Sequence, residues 1–391
     1  MMTEEAVTFE PQLYDDLRAK LQQSGAEEAI RELCESLRSA GDYAKLFYAL
    51  LLKDRVAIGV TPIPTASANE MTTDQQEKYE DAIRSACRTV GGLFLDAGNI
   101  GAAFGYFRMI GELEPVRAAI EQCQPGEEDD VQPIIDIAFH QGVHPHKGFD
   151  LLLDRYGICN AITTISNYDP GQNQEPRQYA IRRLVRSLHE QLVERLRTAI
   201  EQQQGFAPSG STIHQLIEGR DWLFADDMYF TDTSHLSSIV QMSVELDSRE
   251  ELLLARELCA YGRKLSPTLQ YAGSPPFENL YEDVDVFLSI LLGENVEAGI
   301  EAFRAKISAD PDGPDMFAAE VLVRLLVRLN RLDDALAIAR QHLATADDRQ
   351  LSCPGVFELA QRTKNFRALA ETARERHDPV HYLAGLIAAE K

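Results

Sequence analysis

The sequence predicts an all-α protein, an α-solenoid of antiparallel helical hairpins arranged in two lobes. Three observations carry this. Apolar residues recur three and four apart from one end of the chain to the other, the period of a helix with one buried face. Runs that alternate apolar and polar residues, the mark of a strand, are scarce. A length of 391 residues is also long for one core, so the helices are expected to divide into lobes or stack as an array.

Leu13, Leu17 and Leu21 lie four apart and define a helix over 12–23, stopped at Ser24-Gly25. Ala29, Ile30, Leu33 and Leu37 define a second over 27–38, ending at Ala40-Gly41. Asp42 is placed to cap a third, whose apolar face is Leu46, Phe47, Leu50 and Leu51. Residues 59–74 hold two prolines and small polar side chains, and read as a loop. Between Arg84 and Arg117 two apolar-periodic segments break at Ala97-Gly98-Asn99, the pattern of helix, tight turn and antiparallel helix. Gly91 leaves room for the second helix to approach, Phe94 follows, Ala103 marks a close contact, Phe107 packs one turn on and Pro115 closes the unit.

A short helix over 116–123 comes next, then the acidic turn 124–130 and a helical segment over 133–140. Pro145 starts another helix, with Phe149, Leu152, Leu153 and Tyr156 on one side and Gly157 as its stop. The β-branched run Ile158–Ile165 fits either helix or strand, and Ser166–Glu175 is the best linker in the chain. Arg177–Gln203 is the longest uninterrupted helical pattern, with Ile181, Leu184, Val185, Leu188, Leu192, Leu196 and Ile200 as its buried stripe. Beyond it, Ser234–Leu246 pairs with Arg249–Tyr261, Leu280–Leu292 with Val296–Ile307, and Phe317–Leu329 with Leu332–Leu343. A terminal pair, 355–362 and 366–376, and a short helix near Tyr382 complete the array. The expected division is a helical-hairpin lobe over 1–165, a linker and long arginine-rich helix over 166–212, and a helical-repeat lobe over 213–391.

Gly299, Phe303 and Pro311 repeat the spacing of Ala103, Phe107 and Pro115. Leu322, Leu326 and Ala335 fall on the matching positions of the next unit, which no proline closes. On these residues the 84–117 unit resembles a tetratricopeptide repeat, and 280–345 resembles one in part. The resemblance implies stacked hairpins in a right-handed superhelix whose concave groove binds peptides or helices. It assigns no individual binding residue.

Charge narrows the partners. With 38 basic and 62 acidic residues the chain carries −24, a field that repels nucleic acid and anionic membrane on average. A protein or peptide partner, basic or neutral, is expected instead, with no nucleic acid, no membrane and no cofactor. The start of the chain lacks the basic and apolar regions of a signal peptide, and no run approaches the roughly 18 apolar residues of a membrane span. Six dispersed cysteines without a C-x-x-C pair read as reduced thiols, and the expected location is the cytoplasm.

Three places could hold chemistry. His140, His144 and His146 fall at a helix end and the turn after it, and imidazole suits zinc and similar metals. Gly142 and Pro145 argue that the helix does not continue, and the plainer reading is one histidine on the helix dipole and two in a solvated turn. Asp232 and His235, with Asp226, Asp227 and His214, could join them as metal ligands or as acid and base. Locally, however, Asp232 reads as an N-cap and His235 as the third helical residue. Trp222, Phe224, Tyr229 and Phe230 make either a core plug or a binding floor, with the plug favoured. The long helix carries Arg177, Arg182, Arg183, Arg186, Arg195 and Arg197, which could recognise carboxylate or phosphate but are expected to pair with acidic surface and with Glu190, Glu194 and Glu201.

The leading functional expectation is a scaffold that holds a partner peptide or helix in a concave groove, with Trp222, Tyr229, Arg182 and Arg186 as candidate contacts. The alternative is a metal-binding or metal-dependent hydrolytic protein using His140, His144, His146, Asp232 and His235. A weaker alternative is a homo-oligomeric structural protein. A non-catalytic role is favoured, since the chain has neither a G-x-S-x-G elbow nor a phosphate loop.

Overall fold

A short polar side chain just ahead of an apolar stripe accepts from the free N–H groups of a first helical turn, and this chemistry sets many of the boundaries that periodicity leaves vague. Asp42 accepts the Lys45 N–H at 3.0 Å, Asn99 that of Ala102 at 3.0 Å and Asn365 that of Ala368 at 3.1 Å. Thr72 and Gln75 form a reciprocal capping box. The structure, a computed structural model, describes residues 11–63, 71–169, 171, 173–307 and 316–390, and every regular element among them is a helix. The all-α expectation is met. Pro311, residues 64–70 of the expected loop, and Pro170 and Gln172 of the expected linker lie outside the described residues. No helix among the described residues is long and apolar enough to cross a membrane. The six cysteines are free thiols.

The chain divides into two compact units, Met1–Arg155 and Tyr156–Lys391. In the first, α1 (Pro11–Ser24), α2 (Ala26–Ser39), α3 (Tyr43–Ala57), α4 (Thr73–Asp96), α5 (Ile100–Ile110) and α6 (Glu114–Gln122) each pack on the next in sequence. Local order follows from small residues where helices meet. A Cβ on Gly91 of α4 would lie 2.7 Å from the ring of Phe107 in α5, so only glycine lets that ring lie against the helix. Phe94, Ala103 and Phe107 are buried there, and Phe94 stacks on Tyr106 with ring centroids 5.7 Å apart. Pro115 stands in the first turn of α6, where a missing N–H costs nothing. After α7 (Gln132–Ile135) a π-helical turn over Asp136–His140 ends the run.

Helix α8 (Pro145–Ser166) spans the division and is interrupted at Gly157, with φ 76° and ψ 176°. The residues that follow, Ile158–Ile165, are helical, which settles the ambiguity of their β-branched run. Two features favour the helix. Ala161, Ile162 and Ile165 are buried at helical spacing. Asn160, Thr163, Ser166 and Asn167 each donate a side-chain hydrogen bond to the carbonyl four residues back, at 2.8–3.0 Å.

The second unit is built on α9 (Glu175–Gln204), whose expected stripe from Ile181 to Ile200 is fully buried. Around it pack α10 (Ile213–Ile217), α11 (Thr233–Met242) and α12 (Arg249–Gly262). Then α13 (Leu280–Leu291), α14 (Val296–Ala305), α15 (Met316–Arg328), α16 (Leu332–His342), α17 (Val356–Arg362), α18 (Phe366–Glu375) and α19 (Pro379–Ala389) follow, each against its neighbour. At Gly299 of α14, which matches Ala103 of the earlier unit, a Cβ would lie 2.5 Å from the Ile290 side chain of α13.

Candidate functional site

The expected metal ligands are occupied or apart. In the first unit His140 is exposed at the end of the π-helical turn. The His144 ring nitrogen Nε2 contacts the Glu121 carboxylate, and its Nδ1 accepts the Lys147 N–H at 3.4 Å. In that neutral tautomer Nε2 carries the proton and neither nitrogen offers a free lone pair to a metal. His146 is half-buried in the first turn of α8. Asp232 and His235 belong to the second unit, and there Asp232 is the N-cap of α11: its Oδ1 accepts from Ser234 N–H at 2.8 Å and His235 N–H at 3.2 Å. The Ser234 hydroxyl, donating at 2.5 Å, is the main reason that the Asp232 pKa lies below the usual carboxylate range. His214, Asp226 and Asp227 are exposed. Among the described residues no group of three or more His, Cys, Asp or Glu is placed to hold a metal ion, so these candidates do not form a ligand set.

The aromatic segment divides between its two expected roles. Leu223 is fully buried and Phe224 packs on Tyr261 with centroids 5.4 Å apart. The Tyr261 hydroxyl, buried in turn, accepts the Phe230 N–H at 2.7 Å, and burial pushes its pKa up to about 12. These residues plug the core of the unit. Trp222 is half-buried and Tyr229 is exposed, so only Tyr229 keeps the open aspect of a contact residue.

The arginines of α9 are committed inside the fold, mostly to carboxylates far along the chain rather than to the helix's own glutamates. Arg177 grips Glu245 with Nε at 2.7 Å and Nη2 at 2.9 Å. Arg186 reaches Glu251 at 2.6 Å and Glu250 at 2.8 Å, and Arg182 lies 3.5 Å from Glu175 and 3.6 Å from Asp247. Arg195 and Arg197 donate to the carbonyls of Phe230 and Gly210. His189 joins the same seam through Glu257 at 2.8 Å, and Glu257 also accepts the Ile213 N–H at 2.7 Å. Arg182 and Arg186, the two candidate partner contacts, thus tie α9 to the turn before α12 and to its first residues.

A more open surface lies in the first unit. Helix α1 contains no buried residue, and Leu17 and Leu21 of its leucine stripe form one wall of a groove. Leu17 and Leu21 face Ala29, Ile30 and Leu33 of α2 and Leu52 and Val56 of α3 around about 450 Å³. Leu21 stays 53% exposed. The lining is apolar apart from Arg18, whereas acids and bases alternate along the outer faces of both helices, as in the Lys20–Glu32 pair at 3.4 Å. The sequence marked these residues as apolar. That they line a groove could not be read from it, because a stripe of one period serves a closed core or an open wall equally. The chain matches no protein family, no curated protein and no solved structure.

Proposed function

We propose that the chain is a non-catalytic interaction scaffold of tetratricopeptide-like build, two α-solenoid lobes of helical hairpins working in the cytoplasm. Its occupant is an amphipathic helix of another protein, with basic residues beside the apolar face, seated in the groove of α1, α2 and α3. The observation that carries this reading is the groove: an apolar lining of about 450 Å³ that no described side chain fills. An amphipathic helix buries its apolar face in such a groove through anchors at helical spacing. The charge requirement follows from the surroundings, six acidic against four basic residues over 11–39 and −24 over the whole chain, which speeds encounter with a basic partner. The Gly91–Phe107 and Gly299–Ile290 contacts support the repeat-like build.

A photoreactive amino acid at Leu21 tests the proposal in cells. The expected product is one discrete adduct whose mapped peptide is an amphipathic helix flanked by Lys or Arg. The same probe at exposed Arg349, in the other unit, is expected to give none. Quenching by water alone at Leu21, or the same adducts from both positions, overturns the reading.

A second reading, self-association, rests on α19. Val380, Leu383 and Ile387 are 74%, 58% and 51% exposed at i, i+3 and i+7, on a helix with no Asp, Glu, Lys or Arg within it. Exposed apolar stripes of this kind mark interaction surfaces. Sedimentation equilibrium separates the two: a dimer that Leu383→Glu dissociates favours self-association, and a monomer dismisses it.

A further inference from the structure

In the second unit two arginines without a carboxylate in ion-pair contact line one cavity of about 380 Å³, in a chain with 62 acidic residues against 38 basic ones. Arg324 and Arg328 lie four apart on α15 and share a face. Arg328 gives Nη1 to the Val244 carbonyl at 2.5 Å and Nη2 to the Leu246 carbonyl, neutral acceptors that leave its charge unbalanced. Arg324 has no hydrogen-bond or ion-pair partner among the described residues. Glu320, one helical turn earlier, is taken by Ser352, whose N–H donates to it at 2.9 Å and whose hydroxyl donates to the same oxygen. In the facing wall Gln178 gives Nε2 to the Glu245 carbonyl, while its Oε1 is buried with no partner.

The two carboxylates of the cavity each lie near an arginine of α9, the one beside Asp247 being shared with Glu175. Glu245 is gripped by Arg177, and Asp247 lies 3.6 Å from Arg182. Arg324 and Arg328 are left without a carboxylate in direct contact, although Asp247 and Glu245 attract Arg328 from a distance. Arg328 keeps exposed surface as a residue, but enough protein surrounds its guanidinium to lower its pKa; attraction from Asp247 and Glu245 opposes this and repulsion from Arg324 adds to it. Holding two like charges on one helix face without a direct ion pair costs stability, and sites kept at such a cost are commonly sites of binding.

We propose that this cavity binds a monocarboxylate with an adjacent N–H donor, the chemistry shared by the free C-terminal residue of a peptide and by an N-acylated amino acid. The Arg324 fork takes both carboxylate oxygens, the bidentate geometry that a guanidinium favours. Gln178 Oε1 accepts the N–H, and buried Phe287 supplies an apolar wall for the side chain. A doubly charged phosphate fits less well, since it would lie beside Glu245 and Asp247. The volume lies within the range of small-ligand sites, about 300–1,000 Å³. This site is independent of the groove in the first unit.

Phenylglyoxal modification of Arg324 in the full chain, followed by mass spectrometry, tests it with four probes: pooled N-acetyl-glycyl-X free acids, their C-terminal amides, N-acetyl amino acids, and inorganic phosphate. The free acids are expected to slow modification at least tenfold, with amides and phosphate inert. Protection by the dipeptide acids alone assigns a peptide C-terminus, and protection by both kinds of acid assigns the small molecule as a sufficient ligand. The acid pool is also expected to raise the melting midpoint of the wild type and not of Arg324→Met, whose own midpoint matches or exceeds the wild type because no contact is lost. Absence of protection by every acid, equal protection by amides or phosphate, or a lowered midpoint for Arg324→Met each overturns the assignment.

Discussion

Replacing Arg186 by Met measures how far the seam between α9 and α12 depends on its ion pairs. Arg186 Nε and Nη2 both reach one oxygen of Glu251, at 2.7 and 2.6 Å, and the Glu251 side chain is only 3% exposed. The contact to Glu250 at 2.8 Å meets an exposed carboxylate instead, and contributes under about 1 kcal/mol. Removing one partner of a buried pair costs about 3–5 kcal/mol, because the remaining charge keeps neither its counterion nor its water. Arg186 is itself 36% exposed, so water reaches the vacated side of Glu251. The loss then falls to about 2–3 kcal/mol. Burial raises the Glu251 pKa, hydrogen bonds from Ser248 and Arg186 lower it, and the net position is below the ordinary glutamate value. A carboxylate depressed in this way stabilises the fold above its unfolded pKa, near 4.3, and that contribution fades as pH falls through the folded value. A chain of two units need not unfold in one step, so the measurement is native-state hydrogen exchange of the α9 and α12 amides at neutral pH. Their protection is expected to drop roughly 30- to 150-fold, the equivalent of that loss. Adding Glu251→Gln in the Arg186→Met background removes the stranded charge and is expected to restore a large part of it, while adding Glu250→Gln restores nothing. A loss under about 0.5 kcal/mol, or no rescue by Glu251→Gln, refutes the reasoning, because surface pairs alone reach that size.

Adjacent glycines in α4 supply a comparison free of most background effects. A Cβ on Gly91 meets the Phe107 ring at 2.7 Å and one on Gly92 meets nothing within 4 Å, so Gly92→Ala is expected to gain up to about 1 kcal/mol while Gly91→Ala lies about 1–3 kcal/mol below it, read by native-state hydrogen exchange of the α4 and α5 amides. Tyr261→Phe leaves the Phe230 N–H without its acceptor and is expected to cost about 1–3 kcal/mol, read as faster exchange of that amide. Asp232→Ala removes the cap of α11 and is expected to cost about 1 kcal/mol at neutral pH. The folded pKa of Asp232 is depressed, chiefly by the Ser234 hydroxyl, so the difference between wild type and variant should shrink as pH falls through that pKa, and a difference constant down to pH 2 contradicts this.

Much of the helix content was legible because its signals are local. Asp42, Asn99 and Asp232 cap helices through N–H groups two or three residues away, and the α9 stripe is a period that any packing partner must accept. Gly91 announced a close approach, since a missing side chain is visible in the sequence itself. The candidate site was less legible. Histidines 140, 144 and 146 cluster in the sequence without converging as ligands, because the chain turns after Gln141 and His144 engages Glu121. Pairing of the α9 arginines with acids was expected, but not that carboxylates 60 to 70 residues on, Glu245 and Glu251, take Arg177 and Arg186.

By itself, then, the sequence determined most of the helical segments, where several of them begin, and a net charge of −24. Tertiary structure alone decided which apolar stripe is core and which is open. Leu17 and Leu21 of α1 have the same four-residue spacing as Leu33 and Leu37 of α2, but only Leu37 is covered, because burial depends on the element that arrives opposite and not on the stripe. It decided also which charges are spent and which remain, leaving Arg324 unpaired in a chain full of acids. The physical reason is the same in both cases: helix formation is governed by neighbours in sequence, while burial and charge pairing are governed by neighbours in space.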